Sequence, residues 1–233
     1  MAVLYLFPST LGDTEPRMVL PAENIHLIST IKHFVVEDVR SARRFLKKCN
    51  HAIIIDELQF SVLNEHTVHN EVHAMLQPLR EGFDMGLLSD AGCPAVADPG
   101  ADLVATAQTE GFRIIPLVGP SSILLALMAS GFNGQSFSFL GYLPVKPEEK
   151  TKAIKNMEYM ILTKNQTQIF IETPYRNHKT LADLITYCQS GLKLCIAADI
   201  TLPTEYIITR TLLQWKKNVP ELNKRPSIFL LYK

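Results

Sequence analysis

Apolar residues in the first part of the chain come in short runs, and most runs are followed by a segment with helical spacing. Short apolar runs predict buried strands, whereas apolar residues three and four positions apart predict amphipathic helices. The pattern predicts strands at 2–7, 31–36, 53–55, 85–88 and 113–118. It predicts helices after Asp38, over 66–79, after Pro99, and after Ser122 as far as Ser130 and Gly131. This alternation predicts an α/β domain with a largely parallel sheet.

The pattern changes after Gly131. Strands are predicted at 136–142, 167–172, 192–199, 206–212 and 227–232, and helices over 146–163 and up to Gln189. Several of these strands follow one another without a helix long enough for a crossover, which predicts a mixed sheet with hairpins. We therefore expect two α/β domains, an N-terminal one over 1–117 and a C-terminal one over 118–233.

Two loops rich in Gly, Pro and Ser follow predicted strands. Ser89–Gly100 reads S-D-A-G-C-P-A-V-A-D-P-G, and Gly119–Ser122 reads G-P-S-S directly before a helix. Ligands bind at the carboxyl ends of parallel strands, and loops with small side chains let a ligand approach their backbone N–H groups. The loops therefore favour a site for an adenosine-like ligand, although ordinary strand-to-helix turns have a similar composition.

Composition is typical of a globular protein: 47% of the 233 residues are hydrophobic and 20% are charged. No apolar run approaches the length of a membrane span, and Met1–Phe7 lacks the basic leader and the length of a signal peptide. Cys49, Cys93, Cys188 and Cys195 form no C-x-x-C pair. We expect reduced thiols and a cytoplasmic location.

Charge is unevenly distributed along the chain. Residues 1–144 contain 9 Lys/Arg and 15 Asp/Glu, a net charge of −6, whereas residues 145–233 contain 14 and 8, a net charge of +6. The basic part could face an anionic partner such as RNA. Alternatively, the two parts simply present oppositely charged, solvated surfaces.

Several familiar chemistries lack their residues. His66, His69 and His73 could share a helix face, but no acidic partner makes them a metal set, and we predict no metal site. There is no Ser-His-Asp arrangement, no P-loop lysine and no G-x-G-x-x-G motif. The pattern instead favours an enzyme that positions a reactive cofactor beside its acceptor.

Three long motifs carry a family resemblance: Ser89–Gly100, Val118–Gly131 (V-G-P-S-S-I-L-L-A-L-M-A-S-G) and Phe137–Pro144 (F-S-F-L-G-Y-L-P). They resemble the tetrapyrrole-methylase-like (class III) S-adenosylmethionine-dependent methyltransferases, and within that class the small-subunit ribosomal RNA (cytidine-2′-O-)methyltransferase I branch. Weaker matches at Leu4–Pro8, Val36–Leu46 and Phe170–Arg176 extend the resemblance over nearly the whole chain. It implies two α/β domains with S-adenosylmethionine in a cleft between them, and usually a homodimer.

The resemblance also implies site residues. Those that would line the S-adenosylmethionine pocket are Ser89, Asp90, Ala91, Gly92, Cys93, Pro94, Gly119, Ser121, Ser122, Ile123, Glu172 and Ala197. Arg40, Tyr175 and Arg176 would contact the substrate. Glu37, Asp38 and Glu172 are the candidate catalytic carboxylates that could position the acceptor or remove its proton. For each carboxylate, a helix cap or a salt bridge to Arg40 or Arg176 is an equally good explanation.

Two segments depart from the family pattern. Pro8–Asp13 is shorter than usual and lacks the Gly-Asn that precedes Leu-Gly-Asp in relatives, and Ala198–Leu202 reads A-D-I-T-L where relatives have Arg-Glu-Leu-Thr-Lys. Relatives also commonly continue into a C-terminal tail, whereas this sequence ends at Lys233. The cofactor side of the pattern therefore matches better than the acceptor side.

The leading hypothesis is methyl transfer to a ribose 2′-hydroxyl of small-subunit ribosomal RNA, with that RNA or the small ribosomal subunit as partner. A same-class methyltransferase acting on a small molecule or another acceptor is one alternative. A non-catalytic RNA- or ribosome-binding module is the other.

Overall fold

The computed structural model describes residues 2–64, 67 and 69–233. Contacts divide the chain into two compact units, Met1–Ser121 and Ser122–Lys233, which we call the N-terminal and C-terminal units. The N-terminal strands are β1 (Val3–Phe7), β2 (His33–Val36), β3 (Gln59–Val62), β4 (Met85–Leu88) and β5 (Arg113–Pro116), and the helices are α1 (Pro16–Val19), α2 (Ala22–Ile28), α3 (Val39–Cys49), α4 (His69–Met75), α5 (Gln77–Arg80) and α6 (Ala101–Thr109).

The N-terminal strands form one parallel sheet, sheet A, in the order β3-β2-β4-β1-β5. Alternate residues of β2 enter different cores: Phe34 and Val36 pack with Leu46 of α3, whereas Val35 packs with Leu103 of α6. Helices therefore cover both faces, as a fully parallel sheet requires. The prediction of a largely parallel sheet is confirmed.

Two local predictions in this unit are wrong. Residues 53–55 form no strand: Ile55–Glu57 is a 3₁₀ turn, and the edge strand is β3, four residues later. The single helix predicted over 66–79 is broken into α4 and α5, because Pro78 has no N–H to donate and its ring clashes with the preceding turn. His66 and Val68 of that predicted helix lie outside the described residues.

The C-terminal unit contains strands β6 (Phe137–Tyr142), β7 (Thr167–Glu172), β8 (Lys193–Ala198), β9 (Tyr206–Thr211) and β10 (Ser227–Tyr232), and helices α7 (Ser122–Ser130), α8 (Pro147–Lys164), α9 (Asn177–Tyr187) and α10 (Leu212–Lys217). Its sheet B has the order β6-β7-β10-β8-β9. Only the β6–β7 pair is parallel, so the predicted mixed sheet is confirmed.

Sheet B is also covered on both faces. Trp215 of α10 is fully buried beside Phe170 and Phe229, and its indole N–H donates to the carbonyl of Leu194 at 2.8 Å. On the other face, the hydroxyl of Thr209 donates to the carbonyl of Ser130 at the end of α7. Among the described residues, no helix has the length and apolar character needed to cross a membrane.

Candidate active site

Three loops follow parallel strands and meet at the carboxyl edge of sheet A. The main-chain N–H of Ser9, after β1, donates to the carbonyl of Gly92, after β4, at 2.9 Å. Gly119, after β5, packs against the ring of Pro8. The loop after β1 is therefore joined to the loop after β4 by a main-chain hydrogen bond and to the loop after β5 by packing of the Pro8 ring, at the edge where α/β sheets bind ligands.

Gly92 shows how closely these loops approach each other. It has φ +80°, in the left-handed region, and a Cβ at this position would stand 3.1 Å from Leu11 and 3.5 Å from the carbonyl oxygen of Pro120. The Cys93 thiol donates to the same Pro120 carbonyl at 3.6 Å. The conformation and the space both favour glycine, as a loop that cradles a ligand through its backbone requires.

The loop from Ser89 is compact and strained. The buried Ser89 hydroxyl donates to the carbonyl of Ala91 at 3.1 Å and accepts from its N–H at 3.3 Å. Ala95 (φ 64°) and Ala97 (φ 56°) occupy the left-handed region, which costs a non-glycine residue of order 1 kcal/mol each. Such strain is typical of a loop whose shape serves binding.

Four carboxyl groups lie at the ends of β2 and β4: Glu37, Asp38, Asp90 and Asp98. Burial, followed by the charges of Glu37 and Asp38, raises the pKa of Asp90. Burial also raises the pKa of Asp98, although hydrogen bonds with the side chains of Ser89 and Glu37 oppose this effect. The cluster gives this edge of sheet A a negative character that suits a cationic ligand.

Asp38 has a structural role within this cluster. Its Oδ1 accepts from the N–H of Ser41 at 2.7 Å and caps α3, and this hydrogen bonding is the largest cause of its lowered pKa. The helix-cap explanation therefore applies to Asp38. Glu37 precedes it at the end of β2 and is half-buried.

Glu172 ends β7 in the C-terminal unit and is almost completely buried. Its carboxylate lies 2.6 Å from Arg176, accepts from the Thr180 hydroxyl at 2.9 Å and from the Thr173 N–H at 2.8 Å, and lies 3.9 Å from Lys150. The salt-bridge explanation therefore applies to Glu172, which fixes the turn that follows its strand.

The other predicted residues are distributed between the units. Ser89, Asp90, Ala91, Gly92, Cys93, Pro94, Gly119 and Ser121 belong to the loops at the edge of sheet A, with Arg40 exposed in the first turn of α3. In the C-terminal unit, Ser122 and Ile123 begin α7, Tyr175 and Arg176 follow Glu172, and Ala197 lies buried in β8 between Ile207 and Ile228. A cofactor cleft shared by two domains stays a prediction.

Three relatives bear the name "Ribosomal RNA small subunit methyltransferase I". The protein from Halalkalibacterium halodurans is 32% identical over 209 residues, which cover 90% of this chain and 68% of the relative. The Xylella fastidiosa protein is 30% identical over 222 residues, which cover 95% of this chain and 76% of the relative. The Vibrio cholerae protein is 30% identical over 205 residues, which cover 88% of this chain and 67% of the relative. The chain belongs to the ribosomal RNA small subunit methyltransferase I family. No family model matches it.

Solved structures agree on the fold. The methyltransferase CobJ superposes with a TM-score of 0.66 at 18% sequence identity, and the match covers 100% of this chain and 94% of CobJ. The uroporphyrin III C-methyltransferase from Thermus thermophilus superposes with a TM-score of 0.60 at 15% sequence identity, and the match covers 100% of this chain and 98% of that enzyme. The predicted family and fold class are therefore confirmed. As a member of the family, the chain is a methyltransferase that uses S-adenosylmethionine.

The interaction between Arg225 and Asp199 in the C-terminal unit was not predicted from the sequence. Arg225 donates from Nε to Asp199 at 2.7 Å and from Nη2 to the carbonyl of Thr204, and its guanidinium lies 5.7 Å from the centre of the Tyr206 ring. The basic partner of Asp199 comes from a segment 26 residues away, and no local pattern signals that pairing.

The histidine set has an ordinary explanation where it is described. His73 lies 3.2 Å from Glu110, which also pairs with Arg80 at 2.6 Å. His66 lies outside the described residues. Within 2–64, 67 and 69–233, no three His, Cys, Asp or Glu side chains form a group suited to a metal ion.

Proposed function

We propose that this chain transfers the methyl group of S-adenosylmethionine to a ribose 2′-hydroxyl of small-subunit ribosomal RNA. The observation that carries the proposal is the junction of three strand-end loops, marked by the Ser9–Gly92 hydrogen bond, in a chain whose relatives are named for small-subunit ribosomal RNA. The loop Ser89–Pro94, which carries the family resemblance in the sequence, contributes Gly92 to that junction.

The loop residues fit the cofactor. Ser89–Pro94 and Gly119–Ser121 would hold it on the N-terminal unit, and Ser122, Ile123, Glu172 and Ala197 are the proposed residues on the C-terminal unit. When bound, S-adenosylmethionine supplies an activated methyl carbon on a sulfonium. The cofactor has two positive groups, the sulfonium and an ammonium, and one carboxylate, so its net charge is +1. A net positive charge matches the acidic cluster around Asp90 and Asp98.

The chain's remaining task is to orient the acceptor and help remove a proton. Of the three predicted carboxylates, Asp38 caps a helix and Glu172 pairs with Arg176, so we assign proton removal to Glu37. A hydrogen bond between the Glu37 and Asp98 side chains holds the Glu37 carboxyl at the end of β2.

Three residues are proposed to contact the acceptor RNA. Arg40 is exposed in the first turn of α3, where its charge can meet a phosphate. Tyr175 is 78% exposed beside Arg176 and presents a ring on which an unpaired base can stack. The Glu172 network holds the turn that carries both Tyr175 and Arg176.

We also propose a homodimer in the cytoplasm. Met128 of α7 is 78% exposed and Val145 is 70% exposed, and large apolar side chains in such positions favour a partner surface. Cys49, Cys93, Cys188 and Cys195 are free thiols, which agrees with a reducing compartment. Sedimentation equilibrium should give the dimer mass, and a monomer at micromolar concentration would contradict that part.

The test combines binding and transfer. Calorimetry should show S-adenosylmethionine binding to the pure protein, and radiolabel from its methyl group should appear in the RNA of isolated small ribosomal subunits. Cofactor binding without RNA labelling would favour another acceptor. RNA binding without cofactor binding at millimolar ligand would favour a non-catalytic module and overturn the proposal.

A further inference from the structure

A cavity of about 670 Å³ opens in the N-terminal unit beside the candidate active site. Three segments line it: Thr10–Asp13 from the loop after β1, one face of α3, and Asp90–Ala91 from the loop after β4. Its size is in the range of nucleotide-sized ligands. The lining includes two cations, Arg44 and Lys48, which lie one helical turn apart on α3.

The charge of α3 is unusual for its surroundings. The N-terminal unit contains only nine Lys/Arg against fifteen Asp/Glu, yet five of those nine stand in this eleven-residue helix, which contains no acidic residue. The five are Arg40, Arg43, Arg44, Lys47 and Lys48. A concentrated positive helix in an otherwise acidic unit favours an anionic ligand.

The cations of α3 differ in whether their charged groups already interact with another residue. Arg43 lies over the ring of Phe60 at 5.7 Å, and Lys47 donates to the carbonyl of His51 at 3.0 Å. Lys48 lies 2.6 Å from the fully exposed Asp13 at the cavity wall. Arg44 is exposed, and among the described residues it forms no ion pair within 4.0 Å. Arg44 is therefore the cation of the cavity with its donors available.

We propose that this cavity binds a backbone phosphate of the acceptor RNA, with Arg44 as its principal donor and Lys48 as a second cation. The inference rests on the proposed function and adds to it a substrate-binding position on α3. A guanidinium binds a phosphate with two parallel hydrogen bonds, and the hydroxyls of Thr10 and Ser41 line the same cavity. Asp90 lies on the side of the cofactor loops, so the phosphate belongs on the α3 side.

Arg44 has one other use in the structure, because its charge acts at longer range on two carboxylates. It adds to the Ser41 hydrogen bonds that lower the pKa of Asp38, and it partly opposes the burial that raises the pKa of Asp90. If neutralising those carboxylates were its only role, replacing it would alter cofactor binding and leave the salt dependence of RNA binding unchanged. The two roles therefore predict different measurements.

The test compares Arg44→Gln with Arg113→Gln, both with S-adenosylmethionine bound. Arg113 is an exposed arginine of the same unit at the opposite, amino end of sheet A, so the control removes the same charge. Binding to isolated small ribosomal subunits and to protein-free small-subunit RNA is measured from 0.05 to 0.3 M salt. Arg44→Gln should raise the Kd for both about fivefold and reduce the slope of log Kd against log salt by about 0.7, the value of one phosphate contact to single-stranded RNA. Arg44→Lys should retain most of the slope.

Each result decides the inference. If the wild-type protein methylates subunits and Arg44→Gln matches Arg113→Gln in Kd and slope, the phosphate site is wrong and the proposed function stands. If Arg44→Gln weakens binding to subunits but not to protein-free RNA, the cavity contacts a ribosomal protein and the phosphate site is again wrong. If the wild-type protein neither binds nor methylates subunits, the proposed function fails and the inference fails with it.

Discussion

Gly119 lies so close to Pro8 that a Cβ on Gly119 would overlap the Pro8 ring, with 2.7 Å to its Cγ. Real Cβ atoms do not make such contacts. The two residues follow neighbouring strands of sheet A, β5 and β1, so this approach fixes two of the three loops that form the candidate cofactor site.

Gly119→Ala should therefore move the loop after β5 away from Pro8. Overpacking of this kind costs about 1–3 kcal/mol of stability, and the displaced backbone should weaken S-adenosylmethionine binding at least about tenfold. Urea unfolding and calorimetry measure the two effects. Gly191→Ala is the control, because a Cβ on Gly191 meets no atom within 4 Å. Unchanged cofactor affinity in Gly119→Ala would contradict the proposed cofactor site.

Asp98→Asn should make the protein more stable than the wild type, and this difference should grow as the pH rises. Folding raises the pKa of Asp98, so the folded protein holds that proton more tightly than the unfolded chain, and wild-type stability falls as the pH rises through the folded-state value. The variant lacks this loss and should gain about 1 kcal/mol over the wild type at pH 7, and less at pH 4.

The same substitution removes a negative charge beside the cationic cofactor, so S-adenosylmethionine should bind several-fold more weakly. Chemical denaturation at both pH values and calorimetry at pH 7 are the measurements, with the exposed Asp56→Asn as control. The raised pKa of Asp98 is wrong if the stability of Asp98→Asn relative to the wild type is lower at pH 7 than at pH 4.

Glu172→Gln tests whether this carboxylate acts through structure. The substitution leaves Arg176 without its buried partner, whereas Lys150 keeps Asp183 at 2.9 Å. Breaking a buried ion pair costs about 3 kcal/mol, so the variant should unfold at lower urea concentration. The control is Glu149→Gln, since an exposed pair such as Lys146–Glu149 contributes about 0.5 kcal/mol. A large fall in kcat at unchanged stability would instead place Glu172 in the chemistry.

Arg225→Ala should loosen the turn that begins at Asp199. The arginine holds Asp199 and the Thr204 carbonyl together, and Asp199 itself has φ 51° in the left-handed region. We expect a loss of about 2 kcal/mol and faster amide exchange over residues 199–205. Arg225→Lys should rescue only part of the protection, because an ammonium lacks the planar fork that reaches both acceptors. Equal exchange in Arg225→Ala and the exposed-site control Lys217→Ala would contradict this role.

Sequence patterns predicted the interior strands because their apolar runs are buried in the middle of a sheet, and they also predicted the edge strands β5, β6 and β9. β4 and β8 are examples of interior strands, with every residue of β4 buried. The pattern failed at residues 53–55, where Ile53 is buried in a loop. It also missed β3, an edge strand that has two exposed and two partly buried residues. Local residue spacing does not predict the order of strands within a sheet or the pairing of Arg225 with Asp199, because both depend on contacts between distant segments.

The candidate site shows the same division. Gly92 and Gly119 stood out in sequence as small residues at strand ends, and the structure explains them by close contacts with Leu11 and Pro8. Glu172 and Asp38 were ambiguous in sequence, and only their partners indicate structural roles. The cavity beside α3 could not be predicted, since it requires three separate segments to meet.

Mapping of ribose methylation shows whether small-subunit ribosomal RNA is the acceptor. Small ribosomal subunits are isolated from cells that lack this protein and incubated with the pure protein and S-adenosylmethionine, and every 2′-O-methyl position in the RNA is read before and after. We predict one new 2′-O-methylated nucleotide, absent when the cofactor is omitted and present in subunits from wild-type cells. An unchanged methylation map, obtained with protein that binds S-adenosylmethionine, would contradict this prediction.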